Sequence, residues 1–180
     1  MNLVAGFAPF ILFTILSRLS VDLALWVAFA AAFVVTIRDF VESPSLRLLD
    51  AGSLALFALL ALGRGFLDPG LPLALVRFIA ALSLFLLLGL PLAWKRPFSV
   101  EYARLDPREA GWPPALFQRV NYRVSGAWAA CLAAIAAADG AVTFDTGLPL
   151  YGAIAISVIA LSTAVAFTLR YPAHAARQAA

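Results

Sequence analysis

The sequence contains few charged residues. Of its 180 residues, 13% are Asp, Glu, Lys or Arg and 63% are hydrophobic, whereas soluble domains carry about 25% charged residues. So few charged groups cannot cover a globular surface in water, which excludes an ordinary soluble domain and predicts that lipid surrounds most of the chain. The apolar runs lack the alternation of polar and apolar residues that a membrane barrel requires, so we expect helices.

Residues that carry chemistry are also scarce. The single cysteine, Cys131, excludes an internal disulfide, and the single histidine, His174, cannot build a metal site alone. The sequence has no nucleophile-elbow, phosphate-loop or zinc-protease motif, and no carboxylate is predicted deep within an apolar run. We therefore expect no catalytic residues, no metal and no cofactor. The missing deep acid also counts against an ion-coupled pump.

Six apolar runs are candidates for membrane helices, which need about 20 residues each. The first run is short and contains Gly6 and Pro9, which favour a kink or a re-entrant segment. The fifth helix is predicted to begin at Pro114 and to end before Asp139 and Gly140. The runs are 3–16, 23–37, 51–62, 71–94, 124–138 and 150–169. We predict an all-α polytopic integral membrane protein of about six transmembrane helices, forming one domain over residues 1–180.

The positive charges are unevenly placed along this pattern. With six spans, ten of the 13 Lys and Arg residues fall on the side that holds both termini, which the positive-inside rule assigns to the cytoplasm. These ten are Arg38, Arg47, Lys95, Arg96, Arg104, Arg108, Arg119, Arg123, Arg170 and Arg177. The bias explains the net charge of +3 without nucleic acid as a partner.

The segment WKRPFSVEYAR, at 94–104, follows the fourth apolar run. Trp94 suits the headgroup level, and Pro97 ends the helix. A short amphipathic cytoplasmic helix is then predicted, with Phe98 and Tyr102 on one face toward the membrane interface. One interpretation is an ordinary positive-inside loop, and the other is a surface for lipid or a partner protein. The predicted contact residues are Lys95, Arg96, Phe98, Tyr102, Arg104, Arg119 and Asn121.

A smaller polar set is predicted on the opposite side. Arg18 with Asp22, and Arg64 with Asp68, are spaced i, i+4 and could form ion pairs at the interface. Arg77 lies six residues into the fourth run, where it either snorkels to the headgroups or faces a polar cavity, paired with Asp22 or Asp68.

Short motifs in this order resemble the bacterial septation protein A family, also called inner membrane-spanning protein YciB. Lys95-Arg96-Pro97-Phe98 matches one family motif, and Arg119-Val120-Asn121 matches the polar entry to the penultimate span. The run FAPFILF at 7–13 resembles the opening of the family. A family tryptophan expected about three residues after Asn121 is absent, and the next one is Trp128.

The resemblance implies a non-enzymatic protein of the bacterial inner membrane that serves cell-envelope maintenance and septation. The expected partners are membrane lipids and envelope-building or division membrane proteins. A homo-oligomer is a further alternative. The alternative hypothesis is a small transporter or channel for an anionic or lipid-like solute, in which Arg77 lines the path.

Overall fold

The protein is all-helical in the computed structural model, which describes residues 2–42, 47–104 and 111–179. A π-helical turn, Gly63–Leu67, continues the fourth helix. The predicted cytoplasmic residue Arg108 lies outside the described residues. The helices are α1 (Asn2–Gly6), α2 (Ala8–Leu16), α3 (Val21–Glu42), α4 (Leu48–Leu62), α5 (Leu73–Ala93), α6 (Val100–Ala103), α7 (Pro114–Thr143) and α8 (Leu150–Ala179).

Five helical segments of the described chain are long and apolar enough to cross a membrane. They are Val21–Glu42, Leu48–Leu67, Leu73–Ala93, Pro114–Thr143 and Leu150–Arg177. Large apolar side chains on them point outward, among them Val34, Leu59 and Ile159. Since water would penalise such surfaces, the chain is a helical membrane protein, as its composition predicts.

The first apolar run forms two short helices instead of one continuous helix. Phe7 lies in a turn between α1 and α2, and Pro9 occupies the first turn of α2, where its missing N–H costs no hydrogen bond. The helix is therefore interrupted at Phe7, between Gly6 and Pro9. A Cβ atom added to Gly6 would lie 3.1 Å from the Tyr102 hydroxyl oxygen, whereas Ser17, just after α2, bonds Arg77. The α1–α2 segment thus runs from α6 to the start of α5.

Two ends of the bundle can be defined by these contacts. At the α6 end, α3 and α5 finish, α4 and α7 begin, and α6 lies across them. At the Arg77 end, α5 and α8 begin and α7 finishes. The last turns of α8 return to the α6 end, because the Arg123 guanidinium lies 5.8 Å from the centre of the Tyr171 ring.

Helix α7 is the central element, and it packs against both α5 and α8. The predicted end of this helix before Asp139 is wrong, because the helix continues to Thr143. Asp139 forms a buried ion pair with α5, and Gly140 packs against the Phe78 ring, which would lie 3.0 Å from an added Cβ. Packing against α5 therefore outweighs the low helix propensity of an Asp-Gly pair.

The interior between the two ends is aromatic and tightly packed. The Phe7 and Trp128 rings stack with centroids 3.6 Å apart, and Trp128 Nε1 donates a hydrogen bond to Thr168 Oγ1 at 2.9 Å. These contacts join α1 and α2 to α7 and α8. The buried alanines Ala24, Ala28, Ala80 and Ala81 lie on α3 and α5, and small side chains of this kind let membrane helices approach closely.

Candidate functional site

The end of α5 turns the chain with a strained residue. Lys95 has φ of +59°, which costs a non-glycine residue roughly 1–2 kcal/mol. Its N–H donates to the Leu92 carbonyl and the Arg96 N–H to the Pro91 carbonyl, both at 2.9 Å. This is a Schellman motif, which usually places glycine at that position. The motif sets two adjacent exposed cations at the α6 end.

The segment after Pro97 folds onto the bundle instead of lying outward. The Phe98 ring meets the Phe7 ring edge-on, with centroids 6.0 Å apart. Ser99 Oγ donates to Asn121, whose Oδ1 lies 2.8 Å away, and the Ser99 N–H donates to Ser125 Oγ at 3.2 Å. These bonds anchor the segment to α7, and Ser99 makes no side-chain cap to α6.

The assignment of three predicted residues to a lipid or partner contact surface is therefore wrong. Phe98, Tyr102 and Asn121 are only 3%, 4% and 3% exposed, so their side chains offer almost no surface to lipid or to a partner. Helix α6 has four residues, and its aromatic face packs on the core. The i, i+4 spacing predicted that Phe98 and Tyr102 share a face. It could not show whether that face packs on the other helices or points toward lipid.

Tyr102 connects α6 to the start of α4. Its hydroxyl donates a 2.7 Å hydrogen bond to Asp50 Oδ1. Burial raises the pKa of Tyr102 well above its ordinary value, and the neighbouring Asp50 carboxylate raises it further. The hydroxyl therefore remains protonated and continues to donate this bond.

A buried charge cluster that was not predicted from the sequence lies beside Tyr102. Arg47 forms an ion pair with Asp39, lies 3.9 Å from Asp50 Oδ2, and stacks over the Tyr102 ring at 4.8 Å. Nε and Nη2 of Arg47 have no hydrogen-bond partner among the described residues. Arg38, which is exposed, forms a second ion pair with Asp39. The sequence feature that could have indicated this cluster is the position of Asp39 and Asp50 on either side of Arg47, near the predicted edge of the membrane.

A large basic cavity opens beside α6, with a volume of about 1240 Å³. Its apolar wall includes Pro91, Phe98 and Phe117. Its cations come from three elements: the end of α5, the end of α6 and the first turns of α7. These cations are Lys95, Arg96, Arg104, Arg119 and Arg123. Four of them were predicted as contact residues, and the structure adds Arg123.

The charges that line this cavity are unbalanced. The one acid in the described lining, Glu101, accepts a 2.9 Å hydrogen bond from the Leu48 N–H. None of the five cations forms an ion pair within the described residues, and all five are exposed. An excess of unpaired cations against apolar walls makes this cavity the strongest candidate for an anion-binding site.

Arg77 has a different environment from the one predicted. Its Nε donates to Asp139 Oδ1 at 3.0 Å, and its other nitrogens donate to Ser157 Oγ at 2.9 Å and Ser17 Oγ at 3.3 Å. The predicted partners, Asp22 and Asp68, are not bonded to it. Neither snorkelling nor a free cation describes Arg77, because its side chain is 2% exposed and its donors are satisfied by three helical segments.

The polar residues predicted on the side opposite both termini pair across helices instead of along them. Arg64 Nε lies 2.6 Å from Asp22 Oδ1, and its Nη1 donates to the Leu71 carbonyl. Asp68 accepts a 3.0 Å hydrogen bond from the Gly70 N–H, and Arg18 is exposed without an ion pair to a described residue. The predicted pairs Arg18–Asp22 and Arg64–Asp68 are wrong. The π-helical turn that holds Arg64 brings it to α3.

The described residues contain no group of three or more His, Cys, Asp or Glu side chains that could hold a metal ion. The described geometry has an open cationic cavity at one end of the bundle and a satisfied ion pair at the other. No family model, no curated protein and no solved structure matches this chain. The likeness to the septation protein A family thus rests on its short motifs alone.

Proposed function

We propose that this chain is a multi-pass protein of the bacterial inner membrane that supports cell-envelope maintenance and septation without catalysing a reaction. In this proposal six segments cross the bilayer, with α1 and α2 together forming the first, and the α6 end faces the cytoplasm. The protein acts through contacts at that end with anionic groups of membrane lipids or of envelope proteins.

One observation carries this proposal: five exposed cations line the basic cavity, and none is paired with a described carboxylate. Exposed cations without a carboxylate partner keep their charge available to a second molecule. Their placement at the ends of long apolar helices also agrees with a cytoplasmic α6 end.

Photocrosslinking in cells tests the proposal. A photoreactive residue at Ala115 or Gln118, both exposed in the cavity lining, should give discrete products containing an envelope protein or a second copy of this chain. Val158, exposed on α8, and Phe144, exposed at the Arg77 end, are the control positions. Identical products from all four positions would contradict a contact surface at the α6 end.

A charge variant gives the second arm of the test. Replacing Arg96, Arg104 and Arg119 with alanine should abolish the products from Gln118 while the amount of inserted protein stays constant. Unchanged products in that variant would refute the proposed role of the cations.

The alternative, a transporter for an anionic or lipid-like solute that uses Arg77, receives less support. A solute would have to displace Asp139 and two serines from the Arg77 guanidinium. The side chains of Arg77 and Asp139 are also both buried.

A further inference from the structure

We infer that the basic cavity is a headgroup site for a membrane lipid that carries two phosphate groups. This inference rests on the proposed function, because it names the ligand of the same cationic surface. Its support comes from the cavity's number of cations, from its size and from the lipid-facing surface that leads to it.

The number of cations exceeds what a single phosphate needs. Five come from three separate elements, and the one acid in the described lining is bonded to a backbone N–H. One of the five is also held in place, since the Arg123 guanidinium stacks over Tyr171, whose ring lies 4.6 Å from Phe167. A ligand with two phosphates matches a cluster of this charge better than a singly charged headgroup does.

The size of the cavity agrees with a ligand larger than inorganic phosphate. A volume of about 1240 Å³ is somewhat above the roughly 300–1,000 Å³ typical of small-molecule pockets. The partly exposed apolar side chains of Pro91 and Phe117 would contact glycerol and the first acyl carbons. Basic pockets between membrane helices on the cytoplasmic side favour doubly charged lipid headgroups.

An exposed apolar path favours a lipid over a soluble anion. Leu86 and Leu90 on α5 and Trp94, the residue that ends this helix, are spaced i, i+4 and all exposed, so they form one outward stripe. This stripe ends beside Lys95 and Arg96, the first cations of the cavity. Acyl chains can lie along the stripe while the phosphates reach the cations, whereas a soluble diphosphate would gain nothing from it.

The test uses the full-length protein in detergent, titrated with lipid and followed by native mass spectrometry. The probes are diphosphatidylglycerol with two phosphates, phosphatidylglycerol with one, and zwitterionic phosphatidylcholine. The two-phosphate lipid should bind most tightly. The pair variant R104Q/R119Q should weaken this binding about 25-fold, at roughly fivefold for each charge removed.

The matched control is R18Q/R177Q, which also removes two exposed arginines, neither of them in the cavity lining. Its affinity should stay within about twofold of the parent protein. Equal losses in both pairs would overturn the site and indicate diffuse charge attraction. Equal affinity for all three lipids would overturn it as well.

Inorganic pyrophosphate distinguishes the two sources of phosphate. It should fail to displace the bound lipid at concentrations up to about 100 times the lipid's, because it cannot use the stripe on α5. Displacement at comparable concentrations would refute a lipid ligand. These outcomes are independent of the crosslinking experiment: a protein product from Gln118 that persists without selective lipid binding would sink this inference and leave the proposed function standing.

Discussion

Arg77 on α5 and Asp139 on α7 are 62 positions apart in the chain and form an ion pair in which each side chain is 2% exposed. Ser17 and Ser157 accept the remaining hydrogen bonds of the guanidinium. Four helical segments therefore meet at one cation near the Arg77 end. In a poorly solvating interior, such a pair holds segments together mainly because separating its partners leaves a bare charge.

The first prediction concerns this pair. Arg77→Met or Asp139→Leu alone should lower the free energy of unfolding by about 3–5 kcal/mol, because each leaves an uncompensated buried charge. The double variant R77M/D139L should recover most of this loss. Unfolding of the detergent-solubilised protein measures all four states of the cycle, and strictly additive losses would show that the two side chains do not interact.

Tyr102→Phe is the second prediction. Removing the hydroxyl leaves Asp50 without its 2.7 Å donor, so at pH 8 the free energy of unfolding should fall by about 1–3 kcal/mol. The contact between ring and Arg47 remains in the variant, so the helices should still assemble.

The same tyrosine gives a dependence on pH. Burial raises the pKa of Tyr102 in the folded protein, whereas the unfolded chain releases that proton near pH 10. Folding stability contributed by Tyr102 is therefore complete below pH 10 and falls above it by up to about 1.4 kcal/mol per pH unit. The stability difference between the parent and Tyr102→Phe should narrow above pH 10. A difference that is constant from pH 8 to 11 would contradict a buried, protonated hydroxyl.

A third prediction tests whether the short first segment belongs to the core. Phe7→Ala should cost about 3–5 kcal/mol, because it empties the space between the Trp128 and Phe98 rings. Ile15→Ala, on the exposed side of the same segment, should cost less than about 1 kcal/mol in detergent. Equal effects of the two changes would mean that α1 and α2 lie on the surface of the bundle.

The strained end of α5 yields the fourth prediction. Lys95→Gly should raise the free energy of unfolding by roughly 1 kcal/mol, since glycine adopts φ of +59° without a steric penalty. Lys95→Ala is the matched control, because it removes the same charge and keeps the strain. Equal stability of the two variants would argue against the Schellman geometry at this position.

The fifth prediction concerns orientation. Reporter fusions after Gly147, at the Arg77 end, and after Ala180 should report opposite sides of the membrane, with the C-terminal fusion cytoplasmic. The charge bias drives this expectation, so adding three lysines next to Gly147 should weaken or reverse the result. Two fusions on the same side would mean that α8 does not cross.

Much of the fold could be predicted from the sequence because apolar runs of sufficient length have few alternatives in lipid. The break near Pro9 and the start of α7 at Pro114 both follow from local chemistry. The end of α7 could not be predicted in this way. Asp139 and Gly140 have low helix propensity, but here a distant arginine and a phenylalanine ring hold them in place.

The site was predicted only in part, for a similar reason. Lys95, Arg96, Arg104 and Arg119 lie around one cavity, because cations at helix ends remain in contact with water and headgroups wherever the helices pack. Phe98, Tyr102 and Asn121 were assigned to the same surface but face inward. Spacing places residues on a common face, and only the neighbouring helix decides whether that face is covered.

By itself the sequence determined the class of protein, most of the helical segments and the end of the bundle that carries the positive charge. These properties follow from composition and from residue spacing along single helices, and neither depends on how the helices pack together. The tertiary structure decided the partners: Arg77 with Asp139, Arg64 with Asp22, and Arg47 with Asp39. A buried charge pairs with the opposite charge that the packed helices bring close to it. The distance in space between two such side chains cannot be read from their separation along the chain.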